Sequence, residues 1–143
     1  MTTTTRTRRA PTPARATADS PARAVLDSAI SEKQFQANVV RLAKLHGWMV
    51  YHTHDSRHSE PGFPDLVLCR DGVLIFAELK RQTGRVSAAQ REWMQHLSLV
   101  AGIVGASGVH GAIQVYLWKP ADWQTIERVL SGGSDGRTAK GAA

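Results

Sequence analysis

The chain has 143 residues, a net charge of +6 at pH 7 and one cysteine, and these quantities exclude several classes of protein. At this length one domain with a proper hydrophobic core is expected. No run of about 18 apolar residues occurs, so a membrane-spanning helix is not expected. The lone Cys69 excludes an internal disulfide. We therefore expect a cytoplasmic globular protein in a reducing compartment, with Cys69 as a small core residue.

The positive charge is concentrated at the two ends of the chain. Residues 1–24 carry +4 and residues 131–143 carry +1, which leaves +1 for the body between them. The first segment is rich in Thr, Ala, Arg and Pro, and the last in Gly and Ser. We expect a disordered basic arm over 1–27, a folded domain over 28–130 and a flexible tail over 131–143. Two interpretations of the arm stay open. It could attract the phosphates of a nucleic acid, or it could only keep the protein soluble.

Capping residues and apolar periodicity predict a first helix over 31–46. Ser31 and Gln34 fit a capping box, and an apolar stripe at helical spacing begins at Phe35. Gly47 is expected to end this helix. The next predicted elements are a strand over 48–53 and a polar loop over 54–64.

An Asp-Gly pair at positions 71 and 72 predicts a tight hairpin. It lies between the apolar runs 66–69 and 73–77, and Asp-Gly in that setting favours a two-residue type I′ turn. With this pair at the centre of the turn, Arg70 faces Val73, and each step outward pairs the next two residues. The register therefore places Asp65 opposite Glu78 in a close, non-hydrogen-bonded pair.

The second half of the chain predicts two more helices and two more strands. Ser87 and Gln90 fit another capping box, and Gly102 is expected to end the helix that follows. The predicted elements are a helix over 87–101, strands over 103–106 and 113–118, and a last helix that opens at Pro120. This order predicts an α/β fold in which helices flank a mixed central sheet.

Two facing carboxylates call for an explanation, because like charges at such a position destabilise a hairpin. A divalent cation between Asp65 and Glu78 would replace the repulsion with hard oxygen ligation. Lys80 points to the same face as Glu78, so acid, acid and lysine come together as in phosphodiester hydrolysis. The competing interpretation is an ordinary solvated strand end.

The residues around this pair resemble a known nuclease family. Pro64-Asp65 with Glu78-Leu79-Lys80 resembles the PD-(D/E)xK nuclease pattern. The run Gly62-Phe63-Pro64-Asp65 and the downstream Gln90 narrow the resemblance to the virus-type replication-repair nuclease (VRR-NUC) domain, over about residues 31 to 118. The resemblance implies a restriction-endonuclease-like αβββαβ core and dependence on Mg²⁺, with Mn²⁺ as a substitute.

The resemblance also implies a role for each residue of the pattern. Asp65 and Glu78 would be metal ligands, the main-chain carbonyl of Leu79 a further ligand, and Lys80 the catalytic lysine. Glu32 would complete the acidic site, directly or through a metal-bound water, and Gln90 would lie near the active site. Helix-dipole stabilisation is an alternative reading of Glu32, and the capping box is an alternative reading of Gln90.

Polar residues near the pattern are candidate DNA contacts. They lie on the loop before Asp65 and on the turn after Lys80, and the set comprises His54, Arg57, His58, Ser59, Arg81 and Arg85. Backbone phosphates would be their partners. Solvated polar loops and ordinary surface charge are the alternatives, and the histidines lack the spacing of a structural zinc site.

The resemblance implies a metal-dependent DNA endonuclease. Stand-alone members of the family, often phage-encoded, suggest a homodimer that cuts branched DNA such as Holliday junctions. Two matched incisions need two active sites, whereas one chain carries one. The alternatives are a non-catalytic DNA-binding module with a nuclease-like fold, and a flap-specific or restriction-type nuclease.

Overall fold

The computed structural model describes residues 20–53, 59–107 and 112–132, which form a four-stranded sheet with helices on both faces. The helices are α1 (Pro21–Ala29), α2 (Glu32–Leu45), α3 (Ala88–Ala106) and α4 (Trp123–Ser131), the last preceded by a short 3-10 helix (Pro120–Asp122). The strands are β1 (Met49–His52), β2 (Leu66–Arg70), β3 (Val73–Leu79) and β4 (Ala112–Trp118). None of the described helices is long and apolar enough to cross a membrane.

The sheet is mixed. Its strand order is β1-β2-β3-β4; β2 pairs antiparallel with both β1 and β3, whereas β3 and β4 are parallel. Parallel neighbours need a crossover connection, and α3 provides it. The predicted α/β class, a mixed sheet flanked by helices, is confirmed.

The predicted hairpin register is confirmed. The pairing runs from Arg70↔Val73 to Leu66↔Ala77, and one further step outward leads to Asp65 and Glu78. Asp71 and Gly72 have φ values of 49° and 78°, and positive φ at both central residues is what a type I′ turn requires.

One face of the sheet carries the core. The buried apolar strand residues are Leu66, Leu68, Ile75, Ala77, Leu79 and Trp118, and they share a cluster with Phe35, Val39 and Ala43 of α2 and with Ile126 and Leu130 of α4. Each fully buried large side chain contributes about 1.5–3 kcal/mol relative to exposure. The helical stripe predicted from Phe35 onward is therefore the face of α2 that packs on the sheet.

A tryptophan and an arginine join the ends of α2 and α4. Trp48 Nε1 donates to the carbonyl of Leu130 at 2.8 Å. Arg70 Nη1 donates to the carbonyls of His46 and Leu130 at 2.8 and 2.9 Å, and its guanidinium lies 4.6 Å from the centre of the Trp48 ring. A cation at two helix C-termini also interacts favourably with their dipoles.

The predicted strand over 103–106 is wrong, because α3 continues through Gly102 to Ala106. The usual way in which a glycine ends a helix is by taking the left-handed cap position, and Gly102 has no positive φ. Four apolar residues fit a helix as well as a strand. The helix ends at Ser107, whose N–H donates to the carbonyls of Ile103 and Val104.

The interpretation of 1–27 as disordered is wrong from Pro21 onward, where α1 begins. Ser20 Oγ accepts from the N–H of Arg23, proline occupies the first turn, and Arg23 Nε pairs with Asp27 Oδ1 at 3.0 Å. These are ordinary helix-start features. Residues 1–19 and the tail over 133–143 lie outside the described residues.

Cys69 is exposed, so its assignment to the core is wrong. Its neighbour Leu68 is buried, and the two point to opposite faces of β2. The apolar run over 66–69 suggested burial on both faces, but the sheet is covered at this position on the Leu68 face only.

Candidate active site

The two carboxylates of the hairpin lie side by side at the open end of β2 and β3. Asp65 directly precedes β2, and Glu78 is the penultimate residue of β3. The N–H of Leu79 donates to Asp65 Oδ2 at 2.8 Å, which ties the two chain segments together beyond the last ladder pair. The structure thus brings together the residues that the register argument placed opposite each other.

Glu78 is only 1% exposed, and its two oxygens have different surroundings. Oε1 accepts from Lys80 Nζ and, at 2.6 Å, from Gln90 Nε2. Oε2 is buried and accepts from no donor among the described residues, although the carboxyl groups of Glu78 and Asp65 lie within hydrogen-bond reach of each other. Buried carboxylate oxygens are normally satisfied, so Oε2 marks a place where a proton or a cation would be favourable.

Burial and the charges of neighbouring side chains shift the pKa values of Glu78, Asp65 and Lys80. The pKa of Glu78 is raised to about 7, because burial, together with the charge of Asp65, raises it more than the hydrogen bond from Lys80 lowers it. Burial also raises the pKa of Asp65, more than the Leu79 N–H and the Lys80 charge lower it. Burial lowers the pKa of Lys80, but the hydrogen bond to Glu78 and the nearby carboxylates outweigh it and hold this pKa above its usual value.

Lys80 is held in place along its whole length. It is 7% exposed, and its Nζ also donates to the carbonyl of Leu79 at 3.2 Å. A Cβ on Gly84 would lie 3.2 Å from both Cβ and Cδ of Lys80, so the turn over 81–84 packs directly on the aliphatic stem. The ammonium group is therefore fixed beside the carboxylates as a cation.

Gln90 serves the helix cap and the site at the same time. Its Oε1 accepts from the N–H of Ser87 at 2.9 Å, and its own N–H donates to Ser87 Oγ, which completes the predicted capping box. Its Nε2 donates to Glu78. The two interpretations of Gln90 are thus compatible, because each uses a different atom of the amide.

A glycine locks the segment that precedes Asp65 against α3. Gly62 has φ +87°, and a Cβ there would lie 2.4–2.7 Å from backbone atoms of Ala89 and Gln90. The next residue, Phe63, makes edge-to-face contacts with Trp93 at 5.0 Å and with Phe76 at 6.1 Å between ring centroids. Sequence reasoning used Gly62 only as part of a motif and missed this contact.

Comparison with known proteins identifies the family to which this chain belongs. A family model described as the VRR-NUC domain matches residues 14–109, more than half of the chain. This chain belongs to the VRR-NUC domain family. The resemblance drawn from the motif is confirmed, and membership implies a nuclease-type function in DNA processing. Among curated proteins and among solved structures, nothing matches.

Glu32 of this VRR-NUC domain lies near the site without joining a metal cluster. It is the first residue of α2 and is exposed, and its charge raises the pKa of Asp65 and of Glu78. Across the described ranges, no three or more His, Cys, Asp or Glu side chains are grouped so that they could hold a metal ion. The carboxylates that the structure places together are therefore Asp65 and Glu78.

The predicted DNA contacts of the VRR-NUC domain are only partly within the described residues. His54, Arg57 and His58 lie outside them. Ser59 is half-buried, whereas Arg81 and Arg85 are exposed on the turn and the segment that follow Lys80. The assignment of these residues as DNA contacts stays a prediction.

Proposed function

We propose that this protein is a metal-dependent endonuclease that hydrolyses phosphodiester bonds in DNA. One observation carries the proposal: the carboxyl groups of Asp65 and Glu78 adjoin each other, Lys80 contacts one oxygen of Glu78, and no donor among the described residues reaches the other, buried oxygen. Such an arrangement costs stability in isolation, and a divalent cation together with a phosphate would compensate it.

The donor set suits Mg²⁺, with Mn²⁺ as a substitute. Asp65, Glu78 and the main-chain carbonyl of Leu79 would hold the ion, and Glu32 would act through a bound water. These are hard oxygen ligands, the type that such ions prefer. When bound, the ion would supply Lewis-acid polarisation of the phosphate and a water of lowered pKa.

The protein side chains would then have two roles, to orient the Glu78 carboxylate and to neutralise negative charge on the phosphate. Lys80 has a raised pKa, so it stays protonated and donates hydrogen bonds rather than acting as a base. A fixed ammonium stabilises negative charge that develops on a phosphate. Gln90 holds Oε1 of Glu78 from the other side and thereby fixes the orientation of this carboxylate.

We further propose that the substrate is branched DNA, such as a Holliday junction, cut by a homodimer. One chain has one such site, and two matched incisions need two. The basic loop and turn residues, His54, Arg57, His58, Ser59, Arg81 and Arg85, would contact the DNA backbone. Flap-specific or restriction-type cleavage is the alternative within the nuclease class.

A panel of labelled DNA substrates tests these proposals. Four-way junction, flap, single-stranded and linear duplex DNA are incubated with Mg²⁺, with Mn²⁺ or with EDTA, and the products are sized. We expect cleavage with either metal, strongest on the junction, and none in EDTA. Binding without cleavage under all conditions would support a non-catalytic DNA-binding module instead. Symmetric cleavage of both strands by a protein that stays monomeric on the junction would contradict the dimer.

A further inference from the structure

A groove of about 730 Å³ runs along the outer side of α2, and all the Lys, Arg, Asp and Glu side chains among its described lining residues are positively charged. Its lining includes Lys33, Arg41 and Lys44 from the helix, together with His52 and Thr53 from the end of β1 and the residue after it. None of the lining residues that the structure describes is acidic, and Ala37 and Val40 are the apolar ones among them. The groove is therefore complementary to a polyanion.

The three cations follow one side of the helix. Positions 33, 37, 41 and 44 recur at helical spacing, whereas Phe35 and Val39 point to the core. From Lys33 to Lys44 the helix rises about 16 Å, which equals about five base-pair steps along a duplex. Exposed lysines on a helix often serve solubility alone, but these three cations line a concavity, and the described part of its lining contains no acid.

The groove begins beside the candidate active site. Lys33 is the second residue of α2, and His52, which also lines the groove, pairs with Leu66, the residue that directly follows Asp65. A nucleic-acid strand that lies along α2 would therefore reach the carboxylates at the N-terminal end of the helix.

We propose that the α2 groove binds the sugar-phosphate backbone of DNA next to the bond that is cut. Lys33, Arg41 and Lys44 pair with phosphates that are spread over about five base-pair steps, and this binding sets the direction in which the strand enters the site. The inference rests on the proposed nuclease function, since it assigns the groove to that enzyme's substrate.

The salt dependence of DNA binding tests the groove directly. In an Asp65→Asn background, which prevents cleavage, Lys33→Gln, Arg41→Gln and Lys44→Gln are made singly and together. The matched control is Arg128→Gln, which removes an exposed cation of α4 that does not line the groove. Fluorescence anisotropy with a labelled duplex and a labelled four-way junction gives Kd as a function of salt, and circular dichroism checks the fold.

Each groove contact should contribute about 0.9 to the slope of log K against log salt on duplex DNA. Each single change should thus weaken binding about eightfold at about 0.1 M salt, the triple change about 500-fold, and Arg128→Gln much less. An unchanged slope in a folded triple variant, or an equal loss in the control, would overturn the proposal. This binding measurement does not need cleavage. If the protein binds DNA through the groove but never cuts it, the proposed nuclease function is contradicted, whereas the proposed DNA binding by the groove is not.

Discussion

Replacing Gly62 by alanine should destabilise the protein by about 2–5 kcal/mol. The backbone at this position is left-handed, which costs about 1–2 kcal/mol for a residue with a Cβ. The new Cβ would also lie 2.4 Å from the carbonyl carbon of Ala89 and 2.7 Å from the nitrogen of Gln90. Backbone atoms cannot rotate away, so this overlap adds about 1–3 kcal/mol, a typical overpacking cost.

The assay is urea denaturation followed by tryptophan fluorescence, with Gly102→Ala as the matched control. Gly102 lies inside α3, and a Cβ there would meet nothing within 4 Å. Alanine at this position should stabilise the protein by about 0.4–1 kcal/mol. Equal stability of Gly62→Ala and the wild type would refute the close approach of this loop to α3.

Three further changes probe the site and the core. Because the native pKa of Glu78 is about 7 against an ordinary 4.5, the native state binds this proton more tightly than the unfolded chain. The metal-free protein should therefore lose stability as pH rises from about 4.5 through about 7. Over the same pH interval, calorimetry should show that the affinity for Mg²⁺ rises, because the ion binds the deprotonated carboxylate. An affinity for Mg²⁺ that does not depend on pH would contradict this. Gln90→Ala should lower the cleavage rate about tenfold or more. Ser87→Ala, the control, should cost about 1 kcal/mol in urea denaturation and leave the cleavage rate within about twofold of the wild type. Equal cleavage rates for the two variants would show that Gln90 has no role in the active site. Trp48→Phe should destabilise by about 1 kcal/mol in the same denaturation assay, because it removes the hydrogen bond to the Leu130 carbonyl, and no change would show that this bond contributes nothing.

The parts of the fold that were predictable depend on local chemistry. Asp71-Gly72 determines the turn, the turn determines the register, and the register brings Asp65 to Glu78. The start of α1 could also have been predicted, since Ser20 precedes a proline in the first turn. The composition of the surrounding segment, which is typical of disorder, outweighed this signal.

The parts that could not be predicted depend on how distant elements pack. Gly102 could end a helix or continue one, and only the crossover between β3 and β4 decides. Cys69 is exposed because the helices cover the opposite face of β2. The contacts of Gly62 and Gln90 arise when α3 docks on the hairpin. The concave shape of the α2 groove arises because α2 packs beside the end of β1.

The single-turnover cleavage rate of Asp65→Asn with Mg²⁺ tests the central claim most directly. Asparagine keeps the shape of the side chain and an oxygen that can accept from the N–H of Leu79, so the hairpin should stay intact. We predict a rate at least about a hundredfold below that of the wild type, with DNA binding retained. A folded Asp65→Asn variant that cleaves at the wild-type rate would contradict the assignment of this site.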